Sequence, residues 1–240
     1  MSIQTNEYDL SIVLIAYNEE EFLEECVSVI INTVNPICQN YEIIITENGS
    51  TDKTFQIAQE LSKKNSFISC EHLNEPNPAG AMRRGYSLSK GKTIINLDVD
   101  LATNMKYFKK LYEYSKKFDF VTGSRYLDKK LVKRKHDRFI LSLIYNKILI
   151  NGLLGSKIKD NNCGFRAIKR SVGLDLFNEI KDDNVFGIVE LVIRAQRKNY
   201  SIKEFPVEWK DNARKVGIKK IWKFLIPALK LMFKLKFEKN

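Results

Sequence analysis

The 240-residue chain is poor in metal-binding and cross-linking side chains: two histidines, His72 and His136, and four cysteines (Cys26, Cys38, Cys70, Cys163) with no C-x-x-C pair. That scarcity excludes a zinc knuckle and argues against a disulfide scaffold, and free thiols suit a reducing compartment. Residues 1–10 (MSIQTNEYDL) lack the basic stretch and apolar core of a secretory leader, so a cytosolic location is expected. Long apolar runs are missing too; the nearest, residues 139–155, is interrupted by Asn146 and Lys147 and is too short and polar for a membrane span. There is no internal repeat and no low-complexity tract. With 44% hydrophobic and 29% charged residues, disorder and a collagen-like chain are out, and the length fits one α/β domain.

What is present is unevenly spread. Residues 1–105 hold seven Lys and Arg against fifteen Asp and Glu, whereas residues 106–240 hold thirty-three against fourteen. One half is equipped to hold a cation and the other to meet an anion. The basic excess admits nucleic acid, but no aromatic-rich RNA motif, helix-turn-helix signature or zinc finger accompanies it, so no nucleic-acid partner is expected.

Residues 10–16 (LSIVLIA) form an unbroken apolar run, as in a strand buried on both faces of a parallel sheet. YNEEEFLEECVSVIINTV follows, with Phe22, Cys26, Val29 and Ile30 on one helical stripe and acids in the first turn, where the helix dipole favours them. YEIIITE reads as a strand, NGSTDKT as a turn and helix entry, FQIAQELSKKN as a helix, FISCEHL as a strand, residues 80–88 as a helix, and TIINLDVD as a fourth buried strand. This alternation predicts a mainly parallel, doubly wound sheet with its ligands beyond the carboxyl ends of the strands. Later, FDFVTGSRY reads as strand and loop, residues 139–155 as about one helix, and IKDNNCGFRAIKR as a polar loop leading into structure. SVGLDLFNEI and VFGIVELVIRAQRKN read as helices and SIKEFPVEW as a strand. At the C-terminus, Ile218, Ile221, Trp222, Leu225, Leu229, Met232 and Phe233 share a helical face opposite Lys219, Lys220, Lys223, Lys230 and Lys234, with Pro227 as a kink. An apolar face with Trp and Phe flanked by lysines suits a helix lying in an anionic membrane surface, or one packed on the domain; partial cover reconciles the two.

Three polar clusters fall at strand ends. Tyr17, Asn18 and Glu19 follow the first strand. Glu47 precedes the turn Asn48 to Asp52, where Ser, Thr or Asp can cap the next helix and Glu47 can accept hydrogen bonds from a ribose or base. Asp98 and Asp100 follow the fourth strand; separated by one residue, they point to the same side and can reach one hard cation. Arg83, Arg84, Arg125, Arg166 and Arg214 lie in the glycine-containing segments AMRRGY, TGSRY, CGFRAI and ARKVGIKK, a setting that suits phosphate binding.

In this order, LSIVLIAYNEE, IIITENGSTDKT, INLDVDLAT, TGSRY, DNNCGFRAIKR and ARKVGIKK resemble the family 2 glycosyltransferases of the dolichyl-phosphate mannose and dolichyl-phosphate glucose synthase branch. The resemblance covers residue 10 to about residue 220. It implies a GT-A fold over residues 1–215, with a nucleotide-binding half (about 1–105), an acceptor-binding half (about 106–215) and a membrane-associating helix at 216–240. It further implies a nucleotide-sugar donor (UDP-glucose or GDP-mannose), Mg²⁺ or Mn²⁺, a polyprenyl or dolichyl phosphate acceptor, inversion at the sugar carbon and work at the cytoplasmic membrane face. Carried over by residue, Ala16, Tyr17, Asn18, Glu19 and Glu47 match the nucleotide site, to which Asp98 and Arg83 are added. Asp98 and Asp100 match the metal and diphosphate site, Arg125 the arginine near the transferred sugar and acceptor phosphate, and Arg214 and Lys215 the basic flap; Arg166 joins the phosphate-binding set. The chain departs from the family in having Glu47-Asn48 where Asp-Asp is usual and Ala102 where mannose synthases often place Gln.

A phosphate acceptor makes chemical sense of this set. Transfer to a hydroxyl needs a base, whereas a phosphate monoester is already an anionic nucleophile, so positioning and electrostatics suffice. An enzyme extending a glycan is the competing reading, with Glu190 as its base.

Overall fold

The computed structural model describes residues 7–133, 145–180, 186–210, 232, 233 and 235–237. Its first half follows the hydrophobic pattern: β1 (Tyr8–Ala16), α1 (Leu23–Val34), β2 (Tyr41–Asn48), α2 (Thr54–Lys64), β3 (Ile68–Leu73), α3 (Pro78–Leu88) and β4 (Gly91–Leu97). Every residue of β2 is buried, Glu42, Thr46, Glu47 and Asn48 included, as in a strand covered on both faces of a parallel sheet. Helix α1 starts later than the spacing suggested, because Tyr17 to Phe22 form the loop beyond β1; Glu24 and Glu25 occupy its first turn. Asn77 caps α3 by accepting from the Gly80 N–H (2.7 Å), and Pro78 sits where a missing N–H costs nothing.

The second half adds α4 (Phe108–Ser115), β5 (Phe120–Ser124), β6 (Val132–Lys133), a π-helical segment (Tyr145–Leu153), β7 (Arg166–Lys169), α5 (Arg170–Phe177), α6 (Phe186–Arg197), β8 (Ile202–Pro206) and β9 (Trp209–Lys210). One seven-stranded sheet runs β3-β2-β1-β4-β7-β5-β8, with β6 and β9 as a separate two-stranded ribbon. All pairs in the large sheet are parallel except those of β7, which is antiparallel to both β4 and β5. The segment read as a polar loop thus ends in the strand that joins the two halves, and SIKEFPVEW divides into β8 and β9.

Side chains alternate to the two faces of the sheet. Leu10, Ile12, Leu14, Ile43, Ile45 and Ile95 pack with α1, α2 and α4. Val13, Ile44, Ile94, Phe120 and Ile168 pack under α3, α5 and α6. A third cluster joins Ile150, Phe186, Val189 and Ile193 to Met232 and Leu235, so the described C-terminal residues dock on α6. Arg197 Nη2 donates to the Leu235 carbonyl (2.8 Å), while Phe233 and Phe237 stay 52% and 74% exposed. The remainder of residues 216–240, including the Trp222 face, lies outside the described residues. Asn146, which interrupts the apolar run, is a buried anchor: its Oδ1 accepts from the Asn161 N–H at 3.1 Å. Among the described residues no helix is long and apolar enough to cross a membrane, and Cys26, Cys38, Cys70 and Cys163 are free.

Candidate active site

The loops after β1 and β2 hold each other at the carboxyl edge of the sheet. Asn18 is left-handed (φ 54°), a conformation that asparagine tolerates better than most residues. Its N–H donates to Ser50 Oγ (3.0 Å), and its Oδ1 accepts from the Thr51 N–H (2.8 Å). The Glu19 N–H donates to Thr54 Oγ1 (2.7 Å), and Asp52 Oδ1 accepts from the Thr54 N–H (2.9 Å) in the turn that leads into α2. Gly49 (φ 71°) lies so close to the Glu75 backbone that a Cβ would meet it at 2.8 Å. Ala16 is buried at the end of β1 and Tyr17 is 41% exposed on the loop. Glu47 is fully buried; its Oε1 accepts from the Ser50 N–H (2.6 Å) and its Oε2 is taken by His72 Nδ1.

Asp98 and Asp100 follow β4 at the same edge. The chain turns sharply: the Leu101 N–H donates to the Asp98 carbonyl (3.1 Å), Leu101 is left-handed (φ 47°), and Asp100 Oδ1 accepts from the Ala102 N–H (3.0 Å). Asp98 is solvent-exposed past β4, with Asp100, Arg125, Arg166 and Asp160 close enough to act on its charge. Its carboxyl is pushed up to about 6, first by the loss of surrounding water and then by Asp100, against the pull of Arg125 and Arg166. The Gly164 backbone lies against this carboxylate so closely that a Cβ there would collide with it. Two carboxylates whose surroundings penalise negative charge fit a hard divalent cation. No group of three or more potential ligands from His, Cys, Asp and Glu is assembled among the described residues, so other ligands would come from substrate and water.

Arg125, after β5, is locked to Asp160: Nε donates to Oδ2 and Nη2 to Oδ1, both at 2.7 Å, and its backbone N–H reaches Oδ2 at 2.9 Å. Burial pulls the guanidinium pKa down, but Asp160 outweighs it and holds the value above the ordinary one. Its guanidinium carbon also lies 5.4 Å from the Trp209 ring centroid. Asp160 is in turn fixed by its own N–H, which donates to Glu204 Oε1 (2.8 Å).

The other predicted residues within the described chain are engaged inside the protein, Arg166 close enough to Asp98 to act on its charge. Arg166, on β7, is 1% exposed, with Nη1 on the Ile188 carbonyl (3.1 Å) and Nη2 on the Asn161 carbonyl (2.6 Å). Arg83 Nη2 donates to the Ile180 carbonyl (2.9 Å), toward the end of α5. Glu190 is 1% exposed, and its Oε1 is held by Arg194 Nε and Nη2 at 2.7 and 2.6 Å. Arg214 and Lys215 lie outside the described residues. The sequence reading did not single out Asp160, Gly164, His72 or Trp209. Asp160 and Gly164 both stand in the motif DNNCGFRAIKR, which carried the signal without a role for either.

A family model for glycosyl transferase family 2 matches residues 11–177. The chain belongs to that family. Over 206 residues it is 33% identical to glycosyltransferase AglD of Haloferax volcanii, covering 84% of this chain and 33% of that protein. Over 218 residues it is 30% identical to a dolichyl-phosphate beta-glucosyltransferase of Dictyostelium discoideum (84% and 66% covered). It is also 30% identical over 236 residues to a dolichol-phosphate mannosyltransferase of Pyrococcus furiosus (93% and 63% covered). The chain thus spans between a third and two thirds of the length of these relatives. The glucosyl-3-phosphoglycerate synthase of Mycobacterium tuberculosis, solved with Mn²⁺, UDP and phosphoglyceric acid, shares the fold at a TM-score of 0.69 and 14% identity, with 99% of this chain and 81% of that one covered. The GT-A fold expected from the motifs is present, and the expected resemblance to dolichyl-phosphate sugar transferases is borne out by these relatives.

Proposed function

We propose that this family 2 chain moves a hexose from a nucleotide sugar to a polyprenyl phosphate, with inversion, at the cytoplasmic face of a membrane. The observation that carries the choice of acceptor is Glu190. A hydroxyl acceptor needs a base that receives its proton, and Glu190 is 1% exposed, with Oε1 held by Arg194 and Oε2, unpartnered among the described residues, closed to solvent, where an incoming hydroxyl does not reach it. A phosphate acceptor brings its own anionic oxygen and needs no base. The activities of the dolichyl-phosphate relatives support the same reading.

The interlocked loops at Ala16 to Glu19 and Asn48 to Asp52 form the nucleotide end of the crevice. Asp98 and Asp100 would hold Mg²⁺ or Mn²⁺, which when bound supplies positive charge against the leaving nucleoside diphosphate. Asp160 engages Nε and Nη2 of Arg125, which directs the remaining Nη1 donors at an incoming phosphate. Arg214 and Lys215 complete the phosphate-binding set in this reading. Preorganised donors lower the barrier because they need not reorient during transfer. Exposed Phe233 and Phe237, on a segment with nine basic residues between 212 and 240, would seat the protein on an anionic bilayer.

The test is transfer itself. Protein is incubated with a polyprenyl phosphate, Mg²⁺ or Mn²⁺, and labelled UDP-glucose or GDP-mannose, and the lipid phase is extracted. Label entering the lipid from one donor, lost with EDTA and retained in Glu190→Gln, is the expected result. Label entering a glycan instead, with Glu190→Gln inactive, assigns the chain to glycan extension.

A further inference from the structure

His72, next to last in β3, stands directly beside Glu47 in the parallel ladder, and its Nδ1 meets Glu47 Oε2. Because a buried carboxylate accepts there, Nδ1 carries the proton. The ring stacks on Phe55, in the first turn of α2, at a centroid distance of 4.3 Å and 25° between planes, and its side chain is 35% exposed. The other oxygen of Glu47 accepts from the Ser50 N–H at 2.6 Å, and Ser50 Oγ accepts from the Asn18 N–H at 3.0 Å. A continuous chain of hydrogen bonds therefore runs from His72 through Glu47 and Ser50 to Asn18, the left-handed residue of the loop beyond β1. Both Glu47 oxygens are engaged from inside the protein, which leaves this carboxylate as a strut under the turn.

We infer that His72 is a positioning residue for the nucleotide: by holding Glu47, it fixes the Ser50 turn and the Asn18 loop in the shape that receives a nucleoside diphosphate. The inference rests on the nucleotide reading of this crevice under the proposed function. The physical basis is a coupling. With His72 removed, Glu47 has an unmatched buried oxygen and either turns or draws in water, so the two loops must be ordered again when the ligand binds. Stacking alone does not supply this, since a phenylalanine keeps the ring contact with Phe55 and loses the donor.

UDP and GDP, each with Mn²⁺, are titrated into the full chain and the donor KM and kcat are measured alongside. His72→Phe is expected to weaken nucleotide binding by about tenfold and raise the donor KM likewise, with kcat within about twofold of wild type. His72→Asn, whose amide N–H can replace Nδ1–H, recovers most of the affinity. Ser50→Ala acts on a later link of the same chain, so it weakens binding too, and its effect is less than additive with His72→Phe. If His72→Phe does not fold, Ser50→Ala with His72→Asn carries the test. A lowered melting temperature with unchanged affinity in His72→Phe overturns the inference and makes His72 a stabilising contact only. Wild-type protein that binds neither nucleotide overturns the nucleotide reading, and the inference with it.

Discussion

Asp98 and Asp119 stand at opposite edges of one sheet, and their surroundings treat the same side chain in opposite ways. Asp98 lies past the carboxyl end of β4, where loss of water and the neighbouring Asp100 push its carboxyl up to about 6. Asp119 precedes the amino end of β5. Lys169 Nζ donates to one of its oxygens (2.9 Å), the Ser201 hydroxyl (2.7 Å) and N–H (2.9 Å) donate to the other, and the carboxyl falls to about 2. At the amino edge the charge of Asp119 is matched within the protein. At the carboxyl edge a carboxylate is kept where it costs stability, and Gly164 keeps space beside it. Such an imbalance is the kind that sites for a ligand of opposite charge display, and the proposed cation site rests on it.

The largest way to break this contrast is to neutralise Asp98 or remove its companion. Asp98→Asn and Asp100→Ala are each expected to cut hexose transfer by at least about a hundredfold, since charge stabilisation by a bound cation is worth several kcal/mol. Metal-free Asp98→Asn should meanwhile melt higher than wild type at pH 7. The folded value lies above that of an unfolded aspartate, about 3.9. Its ionisation therefore counts against the fold, not at all below about pH 4 and fully above about pH 6. Solvent around Asp98 holds the gain to on the order of 1 kcal/mol. Equal melting temperatures at pH 7 would remove the electrostatic strain from the account, and near wild-type transfer would remove the cation site. A smaller effect tests the geometry alone: Gly164→Ala pushes the Asp98 carboxylate aside without altering charge, and a misplacement of that kind costs about ten- to a hundredfold in rate. Wild-type kinetics in Gly164→Ala would show that the carboxylate has room to move.

Much of the carboxyl edge was legible in the sequence because buried parallel strands announce themselves as apolar runs. LSIVLIA, YEIIITE and TIINL gave away three neighbouring strands, and the polar residues just past each had to share an edge. β7 was not legible in this way. Its four residues, RAIK, begin and end in a cation, and Arg166 is buried only because the Asn161 and Ile188 carbonyls receive it. For the same reason a motif arginine that looked ready for phosphate lies in the interior. The pairs Arg125 with Asp160 and Glu47 with His72 are 35 and 25 residues apart. Each depends on strand order and register, which no local pattern encodes. Glu190 is the reverse case: it was read as a base, yet its partner Arg194 stands one helical turn away, a spacing at which helix ion pairs form.

The amino edge supplies the smallest effect and the opposite sign. Asp119 ties the starts of β5 and β8 to the end of β7, since Lys169 also donates its backbone N–H to the Asp119 carbonyl (3.0 Å). Its folded value near 2 lies below the unfolded one of about 3.9, so its contribution is complete above about pH 4 and is lost as the pH falls through about 2. Lys169 is partly exposed, which screens the ion pair and limits the contribution to less than about 1 kcal/mol. Asp119→Asn should therefore leave transfer at pH 7 unchanged and flatten the fall in unfolding free energy between pH 4 and pH 2, measured by urea titration at each pH. A variant with the same acid slope as wild type would mean that other carboxylates carry the acid transition. The contrast between the edges would then rest on Asp98 alone.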